Sequence, residues 1–260
     1  MAQRPLTVTV DVLGPFEVLK RPLTLRPKDT KPPAPGDPAR GPVAWWKFDE
    51  TDGAEAADAS GHRLAGRVQS AARWMPGQGR VGGALDLDGA KNFVDCGDRA
   101  DFDFRDGVTV SFWLKPRSFK KSSQTVAAKG GDTWRFHSQG DKGQMVFSLT
   151  GPQTTGKDKN KAPRITSKRS VDDGQWHHVV GVYDGQRVAL YVDGALEGSV
   201  TAAGALALNT EPLWLGNTSA SRNGYFNGLL DDVRLYGCGL TEDEITALWR
   251  SGAKGERAAK

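Results

Sequence analysis

Only two cysteines, Cys96 and Cys238, occur among the 260 residues. A zinc site needs four ligands in close pairs, and this spacing does not provide them. Each cysteine follows a strand-like segment, so one disulfide and two free thiols both remain open. No apolar run approaches the ~18 residues that a membrane span requires. None near Met1 has the form of a signal peptide. Apolar residues make up 38% of the chain, enough for a core but low for an enzyme of this size. No Gly-x-Ser-x-Gly nucleophile elbow is present, and there is no internal repeat. The four histidines are His62, His137, His177 and His178. The adjacent pair would point to opposite faces of a strand, which makes them poor joint ligands.

What is abundant is glycine, 32 residues, placed mostly between short apolar runs as turn residues are. The net charge is +4. Much of the excess sits in Lys157, Lys159, Lys161, Arg164, Lys168 and Arg169, interrupted by Asp158. Such a run reads as a solvated loop or as a patch facing an acidic glycan. No nucleic-acid motif accompanies it, so nucleic acid is not expected as a partner.

The length admits one large all-β domain or a smaller domain with arms. Leu6, Val8, Val10 and Val12 alternate with polar residues, a strand signal, and Gly14-Pro15 breaks it. Residues 27–42 hold six prolines, the composition of a stiff extended linker. Residues 1–26 are too few to fold alone and read as an arm or the remnant of a preceding domain, making this chain part of a larger protein. From residue 43 short strands and tight turns follow. Val108, Val110, Phe112 and Leu114 alternate with Thr109, Ser111, Trp113 and Lys115, placing the first set on one face, expected to be inward. Asp88-Gly89, Asp184-Gly185 and Asp193-Gly194 are hairpin signals. Thr241 and Glu244 form a capping box, Leu240 and Ile245 a staple, and Ser251-Gly252 is expected to end the helix. Many short strands with one late helix mean an all-β fold, a two-sheet antiparallel β-sandwich or jelly roll, over residues 43–252. Residues 253–260 are expected to be a disordered tail.

Six segments in order carry a family resemblance. They are Trp45-Trp46-Lys47-Phe48-Asp49-Glu50, Asp58-Ala59-Ser60-Gly61, the TVSFWLK run from Thr109, Gln175-Trp176-His177-His178-Val179 with Tyr183-Asp184-Gly185, Leu190-Tyr191-Val192-Asp193-Gly194, and the GLLDDVRLY run from Gly228. Together they resemble the laminin-G-like, concanavalin A-like domains of bacterial surface and extracytoplasmic proteins. The resemblance implies two antiparallel sheets packed face to face, one of them concave, in an extracytoplasmic or cell-surface setting.

Glucanases share this sandwich, and the retaining ones need two carboxylates about 5–5.5 Å apart. A Glu-x-Asp-x-x-Glu motif would supply them, and none occurs. Glu242-Asp243-Glu244 opens the helix, where acids favour the dipole. Asp98, Asp101, Asp103 and Asp106 read as a solvated loop. No catalytic residue is therefore assigned, and a glycoside hydrolase is the weakest reading. A carbohydrate-binding module would use Trp113 and Trp134 as sugar platforms, with Lys159, Lys161 and Lys168 toward an acidic glycan. The alternative is a structural spacer or protein-interaction domain, and burial of both tryptophans would favour it.

In sandwiches resembling this one, an acid on the final strand meets loop oxygens from near the domain's start around a structural calcium ion. Simple alternation puts Asp231 on the face of Val233 and Leu235, where a carboxylate needs a partner. Asp58 is the expected loop donor and Asp49 the runner-up.

Overall fold

The computed structural model describes residues 41–119, 123–131, 133–155, 159–220 and 223–253. The arm, most of the proline-rich linker, Lys157 and nearly all of the tail lie outside the described residues. In chain order the first strands are β1 (Ala44–Trp46), β2 (Glu55–Ala56), β3 (Gly66–Gln69), β4 (Arg73–Trp74), β5 (Leu85–Asp88) and β6 (Phe93–Asp95). Then come β7 (Val108–Pro116), β8 (Thr125–Lys129), β9 (Trp134–Ser138), β10 (Gln144–Leu149), β11 (Gln153–Thr154) and β12 (Arg164–Ser170). The last are β13 (His177–Tyr183), β14 (Arg187–Val192), β15 (Ala195–Ala203), β16 (Leu213–Leu215) and β17 (Asn227–Tyr236), followed by helix α1 (Glu242–Ala253).

The strands form two antiparallel sheets. One has nine strands in the order β11-β15-β14-β13-β7-β17-β5-β4, with β1 also on β17; the other has eight, β12-β10-β9-β8-β16-β6-β3-β2. The core lies between them. On β7 the expected set Val108, Val110, Phe112 and Leu114 belongs to it. Opposite, one row across the eight-stranded sheet runs Val94, Leu215, Ala127, Phe136, Phe147 and Ile165, all in the same core.

Asp184-Gly185 joins β13 to β14 and Asp193-Gly194 joins β14 to β15, each as an antiparallel hairpin. Asp193 and Gly194 both have positive φ, at 52° and 75°, which this turn requires. Asp88-Gly89 behaves differently. It is a corner, not a hairpin, because β5 pairs with β17 and β4 while β6 lies in the other sheet. The Asp88 carboxylate holds the corner by accepting from the N–H groups of Ala90, Lys91 and Asn92.

The capping box is present, with Glu244 N donating to Thr241 Oγ1 and Thr241 N to Glu244 Oε2. Ile245 and Leu240 pack α1 on Val180, Val182, Ala189 and Tyr191, a second small core on the outer face of the nine-stranded sheet. The helix continues through Gly252 to Ala253. Cys96 and Cys238 form no disulfide.

Candidate functional site

On the outer face of the nine-stranded sheet, Trp113 is 1% exposed. Its ring has the Arg80 guanidinium 4.8 Å from its centroid and the His178 ring at 4.9 Å, and Gly252 of α1 lies directly against it. Trp134 is also 1% exposed, and it belongs to the inter-sheet core. Neither ring offers a face to a sugar, contrary to the expectation for both. Trp113 does face outward, but α1 covers that side.

Asp231 needs a larger correction. It pairs with Trp113 while Arg234 pairs with Ser111, so three steps on β17 oppose two on β7. This bulge, with Asp232 at φ 49°, turns Asp231 away from Val233 and Leu235 to the outer face. There it is 0% exposed. Burial pushes its carboxyl up to about 8, the charges of Asp232 and Asp49 add to the rise, and the N–H of Val81 opposes it. That N–H donates to Oδ2 at 2.8 Å. Oδ1 is buried with no hydrogen-bond partner among the described residues. An orphaned carboxylate oxygen suits a hard cation. Asp49 borders the same 79–83 turn and accepts from Gly83 N.

Asp58 does not share this place as a donor. Its two oxygens accept from the N–H groups of Trp45, Ser60 and Leu64 and from the Ser60 hydroxyl. Burial raises its pKa, but these bonds outweigh burial and hold it below the ordinary value. Its work is to fasten the 58–64 loop to β1. Among the described residues no three His, Cys, Asp or Glu side chains gather as a metal cluster, so the residues fitting calcium reduce to Asp231 with Asp49.

The histidines give no catalytic group of the triad kind. Ser111 Oγ lies 2.8 Å from His178 Nε2, but His178 Nδ1 has no partner, and a triad requires a carboxylate there. Burial drives His178 down to about 3, so it stays neutral. His177 lies between Asp173 and Asp193, at 2.9 and 2.8 Å. Burial lowers its pKa, and the two carboxylates overcome that and raise it.

The expected solvated loop of Asp98 and Asp103 instead meets a buried lysine that sequence reasoning passed over. Lys129, 1% exposed, donates to Asp98 Oδ1 at 2.8 Å and to the carbonyls of Asn209 and Glu211 at 3.2 and 2.6 Å. Asp103 stands at 3.8 Å.

The outer face of the eight-stranded sheet is different in character. One register row runs Arg67, Asp95, Trp214, Ala128, Arg135, Ser148 and Arg164, the row alternate to the core row. Trp214 and Phe93 are half-buried with ring centroids 4.2 Å apart, and half-buried Tyr225 stands 6.3 Å from Phe93. Tyr225 arrives from a loop that leaves β16 and returns at Phe226, whose N–H donates to Gly216 O. Its described residues meet β8 at both ends. Thr218 Oγ1 donates to the Gly130 carbonyl, and Thr125 N donates to the Gly224 carbonyl.

Part of the basic stretch lies on the same face. Arg164 is an exposed position of edge strand β12 in the row opposite Ile165, and Lys168 is exposed in the register shift further along it, so this segment is a strand and not a loop. Lys159 and Lys161 are exposed in the turn before it. The sequence pattern Leu213-Trp214-Leu215 carried the signal for the aromatic, since strand alternation sends the middle residue outward.

Comparison with known proteins agrees with this architecture. A family model described as "Concanavalin A-like lectin/glucanases superfamily" matches residues 88–246. Human laminin subunit alpha-3 is 35% identical over 121 residues, 42% of this chain and 3% of that protein. Mouse pappalysin-1 is 28% identical over 169 residues, 57% of this chain and 10% of its own length. The chain thus spans a small fraction of these relatives. Among solved structures, the binding domain of Paraclostridial Mosquitocidal Protein 1 has a TM-score of 0.63 at 17% identity, covering 81% of this chain and 52% of that one. Domain 4 of AbnA, a GH43 extracellular arabinanase from Geobacillus stearothermophilus in complex with arabinotriose, has a TM-score of 0.62 at 20% identity. The alignment covers 80% of this chain and 98% of that one. These likenesses concern the fold.

Proposed function

The chain belongs to the concanavalin A-like lectin/glucanases superfamily, and from that premise we propose a non-catalytic glycan-binding module that uses the outer face of the eight-stranded sheet. The observation that carries this reading is the half-exposed Trp214–Phe93 pair with Tyr225 beside it. These rings are tilted to one another by 39° and 51°, and partly exposed aromatic rings offer an apolar surface of the kind that the axial C–H side of a sugar ring covers. The opposite outer face is occupied by α1. Solved neighbours described as the binding domain of a mosquitocidal protein and as an arabinanase domain in complex with arabinotriose support a binding role. The absence of a carboxylate pair with glycosidase geometry from the sequence motifs supports a non-catalytic one. An extracytoplasmic setting and a place within a larger protein accompany the proposal. A structural calcium ion at Asp231 and Asp49 is its second element, favoured by the orphaned Oδ1.

The test is a glycan array with the full chain and with Trp214→Ala. Binding that is lost in the variant, at an unchanged melting temperature, supports the module. If no glycan binds the parent, the burial of Trp113 and Trp134 favours the spacer or protein-interaction reading.

A further inference from the structure

Beneath the loop that carries Tyr225 lie buried side chains with unpaired polar atoms. Asn217, directly after Gly216, is 0% exposed, and neither its Oδ1 nor its Nδ2 has a hydrogen-bond partner among the described residues. On the returning limb of the loop is Gly224. Leaving out its chain neighbours, a Cβ built there would have three oxygens nearest to it. They are the Ser123 carbonyl at 3.0 Å, Thr125 Oγ1 at 3.5 Å and Asn217 Oδ1 at 3.6 Å. Thr125 is 1% exposed, so two of the three belong to side chains closed off from bulk solvent. Only the threonine hydroxyl among them carries a proton.

His137 adds a further acceptor on the neighbouring strand. It pairs with Thr125 in register and is 2% exposed. Its Nδ1 lies 2.9 Å from the Ser138 carbonyl, which an N–H there satisfies. Nε2 is left as an acceptor with no donor among the described residues. Burial first, then the charges of Arg135 and Arg164, lower its pKa to about 4, so Nε2 stays unprotonated at neutral pH. Buried acceptors gathered without donors are costly, and a carboxamide with neither atom paired is more so. Water, which donates twice and accepts twice, satisfies such a set. A metal ion suits it less, because calcium wants about 6–8 oxygens with carboxylates among them, and Nδ2 would remain unpaired.

We propose that ordered water bridges Asn217 to the Ser123 carbonyl, Thr125 Oγ1 and His137 Nε2, and that Asn217 positions Tyr225 through it. Thr125 carries the coupling. It joins Tyr225 by a parallel bridge, and its N–H donates to the Gly224 carbonyl. Its neighbour Gln124 donates from Nε2 to the Tyr225 carbonyl at 3.0 Å. The water site is a feature of the fold, while its bearing on ligands rests on the reading of this face as the glycan site.

NMR on the full chain tests both halves. With nitrogen label, the Asn217 side-chain amide is identified as the resonance absent from Asn217→Ser. It should show cross-relaxation with water, of the sign given by a molecule that tumbles with the protein. The same peak should hold its position when sodium or potassium chloride replaces choline chloride. With fluorotyrosine label, Tyr225 is identified by Tyr225→Phe. Its resonance should shift in Asn217→Leu, which offers the water nothing, and return in Asn217→Ser, whose short side chain admits a further water. Tyr183, Tyr191 and Tyr236 should stay in place in both variants, reporting an intact fold. On a glycan array Asn217→Leu should bind about tenfold more weakly than the parent, and Asn217→Ser like the parent.

No cross-relaxation with water overturns the site, and a peak that follows sodium or potassium overturns it in favour of a cation. A Tyr225 resonance unmoved in Asn217→Leu, or not restored in Asn217→Ser, overturns the positioning role. Should Asn217→Leu not fold, Thr125→Val takes its place, removing one hydroxyl from the water at little change of shape. A parent that binds no glycan while both NMR results hold overturns the reading of the face and leaves the water site standing.

Discussion

Gly252 lies so close to the indole of Trp113 that a Cβ built on it would stand 2.6 Å from the ring atoms Nε1 and Cζ2. The contact fixes how the last turn of α1 seats on the nine-stranded sheet, and it explains why that sheet's outward tryptophan meets no ligand. The ring is held by Arg80 and His178 from its other sides and has nowhere to go.

Gly252→Ala should therefore destabilise the protein by about 1–3 kcal/mol, the cost of overpacking a filled site, although alanine favours a helix interior intrinsically. Thermal melting of parent and variant is the measurement. An unchanged or raised melting temperature would mean that the helix end is not seated on Trp113.

Asp231 makes stability depend on pH in an unusual direction. Its carboxyl ordinarily titrates near 3.8 and is raised to about 8 in the fold. The native state thus holds a proton that the unfolded state has released. Its contribution is complete below about 4 and is lost as pH rises to about 8. In chelator, the parent should lose on the order of a few kcal/mol over that window, and Asp231→Asn should not. Added calcium should restore the parent at pH 8 and leave the variant unchanged. A parent indifferent to calcium at pH 8 would remove the ion and leave a neutral Asp231.

Two of the histidines work oppositely. His178 and His137 are lowered from 6.5 to about 3 and about 4, so the unfolded chain binds protons that the native state refuses. Stability from both is lost as pH falls below 6.5. His177 is raised, and its contribution is present below 6.5 and fades as pH rises through its folded value. His178→Gln should flatten the acid side of the stability profile measured by urea unfolding. A profile as steep as the parent's would show that His178 is not held neutral.

Lys129 is a tie between segments far apart in sequence. Lys129→Met keeps the apolar stem but strands Asp98 and the carbonyls of Asn209 and Glu211, and should cost about 3 kcal/mol. Asp98 is partly exposed, so water will recover some of this. Equilibrium unfolding in urea reads the difference directly.

Local patterns in the sequence were legible wherever chemistry acts within a few residues. The β7 alternation, the Thr241–Glu244 box and the turns at Asp184 and Asp193 all follow from neighbours along the chain. Asp88-Gly89 has the same turn chemistry, yet its strands part into different sheets, a choice made by the packing of distant segments. Asp231 was placed on the wrong face because a bulge adds one residue and inverts the alternation beyond it, and Asp232 carries positive φ without being glycine. Trp113 was read correctly as facing away from the core. What covers it is a helix about 130 positions later, which strand periodicity cannot register. Lys129 looked like an ordinary strand end because its partners sit 31 and 80 or more positions away.

The hydrogen bond from Phe226 N to Gly216 O gives the loop bearing Tyr225 a narrow neck. Its ends are also tied to β8 through Thr218 Oγ1 and the Gly224 carbonyl, so length added between those ties leaves the register of β16 and β17 in place and costs little in closure entropy. Exposed positions between those ties, such as Ala220 and Asn223, are therefore the natural place to diversify in a library. One sheet can in this way carry many different surfaces.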